Sequence, residues 1–334
     1  MLAKQLGLSV STISKAIRDS HEISNSTKER VNALVKKLNY IPNPYASSLG
    51  SRNSKTIGVV LPEVTDSFFA QAINGIESVA QEKGYHVLIY LTHESFEREK
   101  KILKDFESGR VDGVLLSISK ETIQCNHIDA LMNKEIPLVF FDRVFDEVAT
   151  TKITTNDYDS AYMATTHLIN NGCKKILFLS FSNTLSISNK RLNGYKNALL
   201  KHDLKFTENN ILNFGNDVKR DHLLLKKKLQ STKRPDGILA SVEKLALPVY
   251  QACEDLQLNI PDDIQVISFS NVDTAAFLNP PLTTITQPAF EMGKTAAIAL
   301  VKALERKNFE LADEVIVIPS TLTERKSTGS MTKI

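Results

Sequence analysis

The 334-residue sequence has only three cysteines, Cys125, Cys173 and Cys253, far apart and odd in number. Such thiols read as buried and free in a reducing cytosol rather than as a disulfide frame or a metal site. The seven histidines show no H-x3-H spacing, so no metal is expected. No apolar run approaches the roughly 20 residues that span a bilayer. The N-terminus lacks the basic stretch and apolar run of a secretory leader. A cytoplasmic protein without membrane contact is expected. There is no G-x-x-x-x-G-K, no G-x-G-x-x-G and no G-x-S-x-G or Ser-His-Asp frame for a nucleophile. These absences weigh against phosphate-loop, dinucleotide-dependent and acyl-transfer enzymes, so neither a cofactor nor catalysis is expected. No short repeat or low-complexity tract interrupts the chain.

What is present is unevenly distributed. The net charge is +3, yet residues 1–56 hold nine Lys/Arg and three Asp/Glu, a local +6 that leaves about −3 for the rest. A basic head on a mildly acidic body fits a polyanionic partner for the head, or a solvated surface with none. With 42% hydrophobic and 24% charged residues the composition is that of a globular protein, long enough for two or three domains.

In the head, Leu2 to Leu6 reads as a short helix, Gly7 suits its left-handed end, and Ser9 is placed to cap a second helix. Ile13, Ala16 and Ile17 fall on one side of that helix; Ser11, Ser14, Lys15 and Arg18 fall mostly on the other. Two short helices joined by a Gly turn make a helix-turn-helix, whose second helix can enter the major groove. Ser24 is placed to cap a third helix with Val31, Leu34, Val35 and Leu38 as its apolar stripe. Pro42 and Pro44 stop it. The segment Tyr45 to Gly50 is too short to be a stable isolated helix in water, and residues 51–55 form a polar linker.

From Thr56 onward, apolar strands alternate with amphipathic helices. Strands are expected at 56–61, 87–91, 114–117, 138–141, 175–179, 237–240 and 265–269. Helices are expected at 67–83, 96–108, 159–171, 188–202, 220–230 and 243–256. This grammar implies parallel sheets covered on both faces, arranged as two doubly wound lobes with a crevice at the strand carboxyl ends.

Several segments then resemble one family. The head run Leu8-Ser9-Val10-Ser11-Thr12-Ile13-Ser14-Lys15-Ala16-Ile17 is close to V-S-x-x-T-V-S-R-A-L. Leu38-Asn39-Tyr40-Ile41-Pro42-Asn43 resembles L-G-Y-x-P-N, and Ala46 and Leu49 match A-x-x-L. In the body, Phe68-Phe69-Ala70, Gly75-Ile76-Glu77, Arg110-Val111-Asp112-Gly113, Asp142-Arg143, Arg191 with Gly194-Tyr195, Pro280 to Pro288 and Leu322 to Ser327 follow in order. Together they resemble the lactose-repressor (LacI/GalR) family of bacterial transcription regulators. The resemblance implies a helix-turn-helix head plus hinge helix, followed by two α/β lobes like those of periplasmic binding proteins. It also implies a homodimer on pseudo-palindromic double-stranded operator DNA and a small effector, a sugar or sugar derivative, that sets operator affinity. The expected divisions are 1–42 for the head, 43–55 for hinge and linker, 56–156 with 288–312 for the first lobe, 157–287 with 313–327 for the second, and 328–334 for a tail. Met1 starts inside the family's first helix, so either the natural start lies upstream or that helix is short. The rival readings are a sugar receptor without DNA activity and a sugar-processing enzyme.

Candidate DNA-binding residues are Ser9, Val10, Ser11, Thr12, Ser14, Lys15, Arg18, Tyr45, Ala46 and Leu49. By the resemblance, Val10, Ser11 and Lys15 occupy base-reading positions. Val10 can pack on a thymine methyl, and Lys15 can donate to guanine or to a phosphate. Leu49 is either a minor-groove wedge, as the family implies, or a packing residue. Candidate effector-binding residues are Phe68, Phe69, Asp142, Arg143, Arg191, Val242 and Ser270. The phenylalanines can stack on a ring or belong to the core. Arg191 can donate to the effector or bridge the lobes. Val242 and Ser270 replace polar residues common in the family, which leaves few carboxylate acceptors and favours an effector with an anionic or strongly accepting group held by Arg191.

Overall fold

The computed structural model describes residues 2–17, 19–38, 40, 54–215, 217–306 and 311–329. Arg18, Tyr45, Ala46 and Leu49, and with them the expected hinge, lie outside the described residues. The chain divides into two compact units, Met1–Ser54 and Lys55–Ile334.

The first unit contains α1 (Leu2–Leu6), α2 (Val10–Ile17) and α3 (Asn25–Lys37). Gly7 turns the chain between α1 and α2 at φ 66°, a left-handed conformation that glycine adopts without a Cβ penalty. Ser9 Oγ accepts the Thr12 amide at 3.0 Å, so the expected cap is formed. Ser24 stands at the cap position of α3, but its hydroxyl pairs with the Thr27 hydroxyl at 3.0 Å instead of a backbone amide. Leu2, Ile13, Ala16 and Val31 are the buried core, with Leu34 and Val35 packed against it. Leu38 ends the helix on the exposed side.

The second unit is built on two six-stranded sheets. The first contains β1 (Thr56–Leu61), β2 (His86–Leu91), β3 (Gly113–Leu116), β4 (Leu138–Phe141), β5 (Lys152–Thr154) and β11 (Val315–Val317), in the order β11-β5-β4-β3-β1-β2, all parallel. The second contains β6 (Ile176–Ser180), β7 (Ile211–Asn213), β8 (Gly237–Ala240), β9 (Gln265–Phe269), β10 (Thr283–Thr286) and β12 (Thr321–Thr323), in the order β12-β10-β9-β8-β6-β7. Among the described residues only β12 runs antiparallel, against β10. Strands β1, β3, β4, β6, β8 and β9 are buried along their whole length, as expected where helices cover both sheet faces.

The helices of this unit are α4 (Ser67–Glu82), α5 (Phe96–Phe106), α6 (Asn126–Met132), α7 (Asp157–Asn170), α8 (Ser186–Lys201), α9 (Val218–Leu229), α10 (Ala246–Asp255) and α11 (Ala289–Glu305). The expected helix at 243–256 is a 3-10 turn, Glu243–Leu245, followed by α10, because Pro248 suits only the first turn of an α-helix. The short β5, β7, β10, β11 and β12 and helices α6 and α11 were not anticipated; three to seven residues carry too little periodicity to read, whereas the 17-residue α11 is long enough for its apolar stripe to be read and went unread. The chain passes between the sheets after β5, after β10 and after β11. The last passage corrects the expected division at 312/313. Val315–Val317 pairs with β5 of the first sheet, and only Thr321–Thr323 joins the second. Among the described residues no helix is long and apolar enough to cross a membrane.

Candidate functional site

The carboxyl ends of both sheets, and the helix starts that follow them, enclose one cavity of about 20 Å³, room for about a single water. All seven effector candidates, Phe68, Phe69, Asp142, Arg143, Arg191, Val242 and Ser270, line it, together with Asp66, Ile187, Glu243, Phe269, Asn271 and Gln287. The second group was missed. Asp66, Ile187, Glu243, Phe269 and Asn271 end or follow an expected strand or open a helix, so the strand-end rule applied evenly would have found them, whereas Gln287 follows β10, which was not anticipated.

The first lobe supplies the aromatic wall. Asp66 caps α4 by accepting the Phe68 amide at 3.0 Å. That cap swings Phe68 and Phe69 inward, where their rings meet edge to face at 5.3 Å. Both rings belong to the lobe core and to the cavity wall. Asp142 leaves β4 at φ 61°, a left-handed conformation uncommon outside glycine. Burial pushes its carboxyl up to about 7, against the opposing pull of Arg143 and Arg191. Burial, and then the charge of Glu243, also raises the carboxyl of Asp66.

Both arginines are committed to carboxylates behind the wall. Arg143 Nη1 donates to both oxygens of Glu94 at 2.9 Å, and its guanidinium lies 5.6 Å from the Phe69 ring centre. Arg191 donates from Nε to Asp157 at 2.7 Å and from Nη1 to the Ser241 carbonyl at 2.6 Å, with its guanidinium 4.0 Å from the Phe269 ring centre. Arg191 is thus held within its own lobe rather than across to the other.

The expected shortage of carboxylates is overturned. Val242 presents an apolar side chain, and its neighbour Glu243 supplies the charge. Glu243 accepts from the Ser67 hydroxyl at 2.8 Å across the crevice, and from the Ser270 hydroxyl and Asn271 amide at 3.0 Å on its own side. Gln71 and Asn271 pair reciprocally across the crevice at 3.0 and 3.1 Å, and Lys244 reaches Glu63 at 3.0 Å. Thr184 donates to the Lys120 carbonyl at 2.7 Å, and Leu185 and Ile187 pack into the first lobe's core. The lobes are shut on each other. Within the wall, Arg143 Nε, 3.8 Å from the Asp142 carboxylate, and Gln287 Nε2 are buried donors without a hydrogen-bond partner among the described residues, in residues that are 4% and 7% exposed.

In the first unit, Ser9, Val10, Ser11 and Lys15 are exposed, whereas Thr12 and Ser14 are half-buried. Val10 is 77% exposed, far more than an apolar residue that packs inside its own fold. Lys15 is paired with Glu22.

The comparisons with known proteins agree with this architecture. Residues 2–43 match the model of bacterial regulatory proteins of the lacI family, and residues 165–328 match that of a periplasmic binding protein-like domain. The ribose operon repressor of Haemophilus influenzae is 31% identical over 330 residues, which cover 99% of this chain and 98% of the relative. The HTH-type transcriptional repressor PurR of Photobacterium profundum is 31% identical over 322 residues, covering 95% and 96%. The crystal structure of the lac repressor dimer bound to operator and an anti-inducer superposes with a TM-score of 0.80 at 23% identity, covering 98% of this chain and 97% of that one. The chain therefore belongs to the lacI family of bacterial regulatory proteins, DNA-binding transcription regulators with a helix-turn-helix head and a periplasmic binding protein-like effector domain.

Proposed function

We propose that this regulator is a repressor whose operator affinity is set by a small, neutral, polyhydroxylated effector, a sugar or close derivative, held between the two lobes. The observation that carries the reading is the pairing pattern of the cavity wall. Asp66, Asp142 and Glu243 offer acceptors, while Arg143 Nε and Gln287 Nε2 are buried donors without hydrogen-bond partners among the described residues. A sugar hydroxyl donates and accepts at once, so a ring of hydroxyls satisfies both sets, and an aromatic wall suits its C–H face. An anion fits poorly, because the positive charge of both arginines is already met by Glu94 and Asp157. This replaces the anionic preference drawn from sequence. The name of the Haemophilus relative, a ribose operon repressor, makes a pentose the first sugar to test.

Entry requires the lobes to part, since a cavity of about 20 Å³ admits no sugar. The effector acts by shifting the population of lobe arrangements, and with it the ability of a homodimer to engage both halves of a pseudo-palindromic operator. On the DNA side, exposed Val10, Ser11 and Lys15 are the base-reading candidates, with Ser9, Thr12 and Ser14 supporting the helix start and phosphate contacts. Calorimetric titration of the full chain with pentoses, hexoses and their phosphates, beside operator binding by fluorescence anisotropy, tests the reading. A neutral sugar that binds and changes operator affinity is expected; binding by phosphorylated sugars alone would overturn it.

A further inference from the structure

The amino ends of the second sheet, opposite the crevice, carry an open pocket of about 720 Å³. Three parallel strands begin beside it, β6 at Ile176, β7 at Ile211 and β8 at Gly237. Four lysines from separate segments line it: Lys175 before β6, Lys205 after α8, Lys228 at the end of α9 and Lys233 in the loop before β8. Among the described residues no carboxylate lines it. Asp236, close by in sequence, is turned to the backbone amides of Lys174 and Lys175 at 2.8 to 3.0 Å. Neighbouring cations are paired, Lys226 with Asp255 at 2.9 Å and Arg234 with Asp263 at 3.3 Å. The four pocket lysines form no ion pair among the described residues. Lys228 Nζ donates to the Asn209 carbonyl at 2.5 Å, which fixes its ammonium at the wall with two donors left over. The charge of the body is concentrated in this region. Residues 174–234 hold fourteen Lys/Arg and four Asp/Glu, a local +10 within a body whose net charge is about −3.

We propose that this pocket is a second small-molecule site, separate from the effector crevice, for a multiply phosphorylated ligand of about nucleotide size. Lysines in the last turn of a helix complement its free carbonyls, which accounts for Lys228 but not for Lys175, Lys205 and Lys233. Lysines also keep an edge strand such as β7 from pairing with another chain, but that role needs no convergence on a concavity. The pocket volume lies within the range of small-molecule sites. Each ammonium is a compact point charge that meets phosphate oxygens without the fixed fork of an arginine. A single phosphate carries roughly two charges and leaves half of the lysines unmet, whereas a chain of two or three phosphates meets all four. Asn209 and Ser231 add hydrogen-bonding side chains for the rest of the ligand. A concave pocket fits such a compact anion better than a duplex, whose phosphates lie on a convex surface.

The test is calorimetric titration of the full chain with inorganic phosphate, inorganic triphosphate, ATP and GTP. Triphosphates are expected to bind at least tenfold more tightly than phosphate, and a gain of ATP or GTP over inorganic triphosphate would show that the organic part is held as well. Lys175, Lys205 and Lys233 are exposed, so their joint replacement by alanine leaves the core intact. That triple variant is expected to weaken triphosphate binding at least tenfold while operator affinity stays within twofold. A second triple variant removes the same charge from exposed positions of the first lobe, Lys100, Lys101 and Lys134, and is expected to change triphosphate binding less than twofold. Equal losses in the two variants would reduce the effect to diffuse attraction and overturn the site. Failure of every triphosphate to bind would overturn it too. A loss of operator affinity in the pocket variant, with triphosphate binding unchanged, would assign the patch to DNA instead.

Discussion

At the scale of single residues, charge placement decides more than residue type. Asp142 has its carboxyl raised from 3.8 to about 7 by burial, so between those values the folded chain holds a proton that the unfolded chain has released. Its contribution therefore favours folding below about pH 4 and is lost as pH climbs through 7. At about 1.4 kcal/mol per pKa unit the span amounts to a few kcal/mol. Asp142→Asn is expected to match the parent chain in urea unfolding at pH 4.5 and to exceed it at pH 8; parallel stability curves would refute this. On α2, Lys15 is ion-paired with Glu22. Lys15→Ala is expected to lower operator affinity about tenfold, within the range for a base contact. Glu22→Gln should release the lysine and tighten binding to random duplex several-fold in filter binding. Unchanged values for both variants would place Lys15 off the DNA.

Among elements, glycine spacing sets how closely helices meet. A Cβ on Gly293 of α11 would stand 2.0 Å from the Ala72 carbonyl oxygen of α4, and one on Gly75 would stand 2.0 Å from the Phe290 carbonyl. These two helices therefore pack backbone to backbone. Gly293→Ala is expected to cost about 3 kcal/mol by overpacking, read as a drop in Tm; an unchanged Tm would mean the pair can slide apart at no cost. Glu243, at the start of the turn before α10, ties that turn to Ser67 and Asn271. Glu243→Ala is expected to loosen lobe closure and enlarge the radius of gyration in X-ray scattering, whereas an unaltered scattering curve would show that Gln71 and Asn271 suffice.

For the whole molecule, the chain divides into two compact units, Met1–Ser54 and Lys55–Ile334, and a division of DNA and effector binding between them is expected. Removing residues 1–54 is expected to abolish operator binding while leaving effector affinity intact. In the full chain, log affinity for operator should fall steeply and linearly with log salt, since several phosphate contacts release counterions. Salt-independent binding, or operator binding by residues 55–334 alone, would contradict that division.

How much of this was legible beforehand follows from the range of the forces involved. Helices α2 and α4 and strands β4, β8 and β9 were readable because periodicity and caps act over a few residues. Ser9 and Asp66 do their capping locally, whatever packs around them. Phe68, Phe69, Asp142, Arg143 and Arg191 could be named because strand ends and helix starts face the same way in a parallel sheet, and Val242 and Ser270 because the family resemblance marks their positions. Their pairing could not be named. Arg191 finds Asp157, and Glu243 finds Ser67, across 34 and 176 positions of sequence, and no local pattern records such distances. The same holds for the late return of Val315–Val317 to the first sheet, three residues whose place is fixed only by β5 beside them. The sequence by itself determined most of the elements and the family they make. Only the tertiary structure decided that the arginines are already neutralised and that carboxylates and unbonded donors are left facing the crevice. Those are properties of long-range contact and burial, which no window of sequence contains.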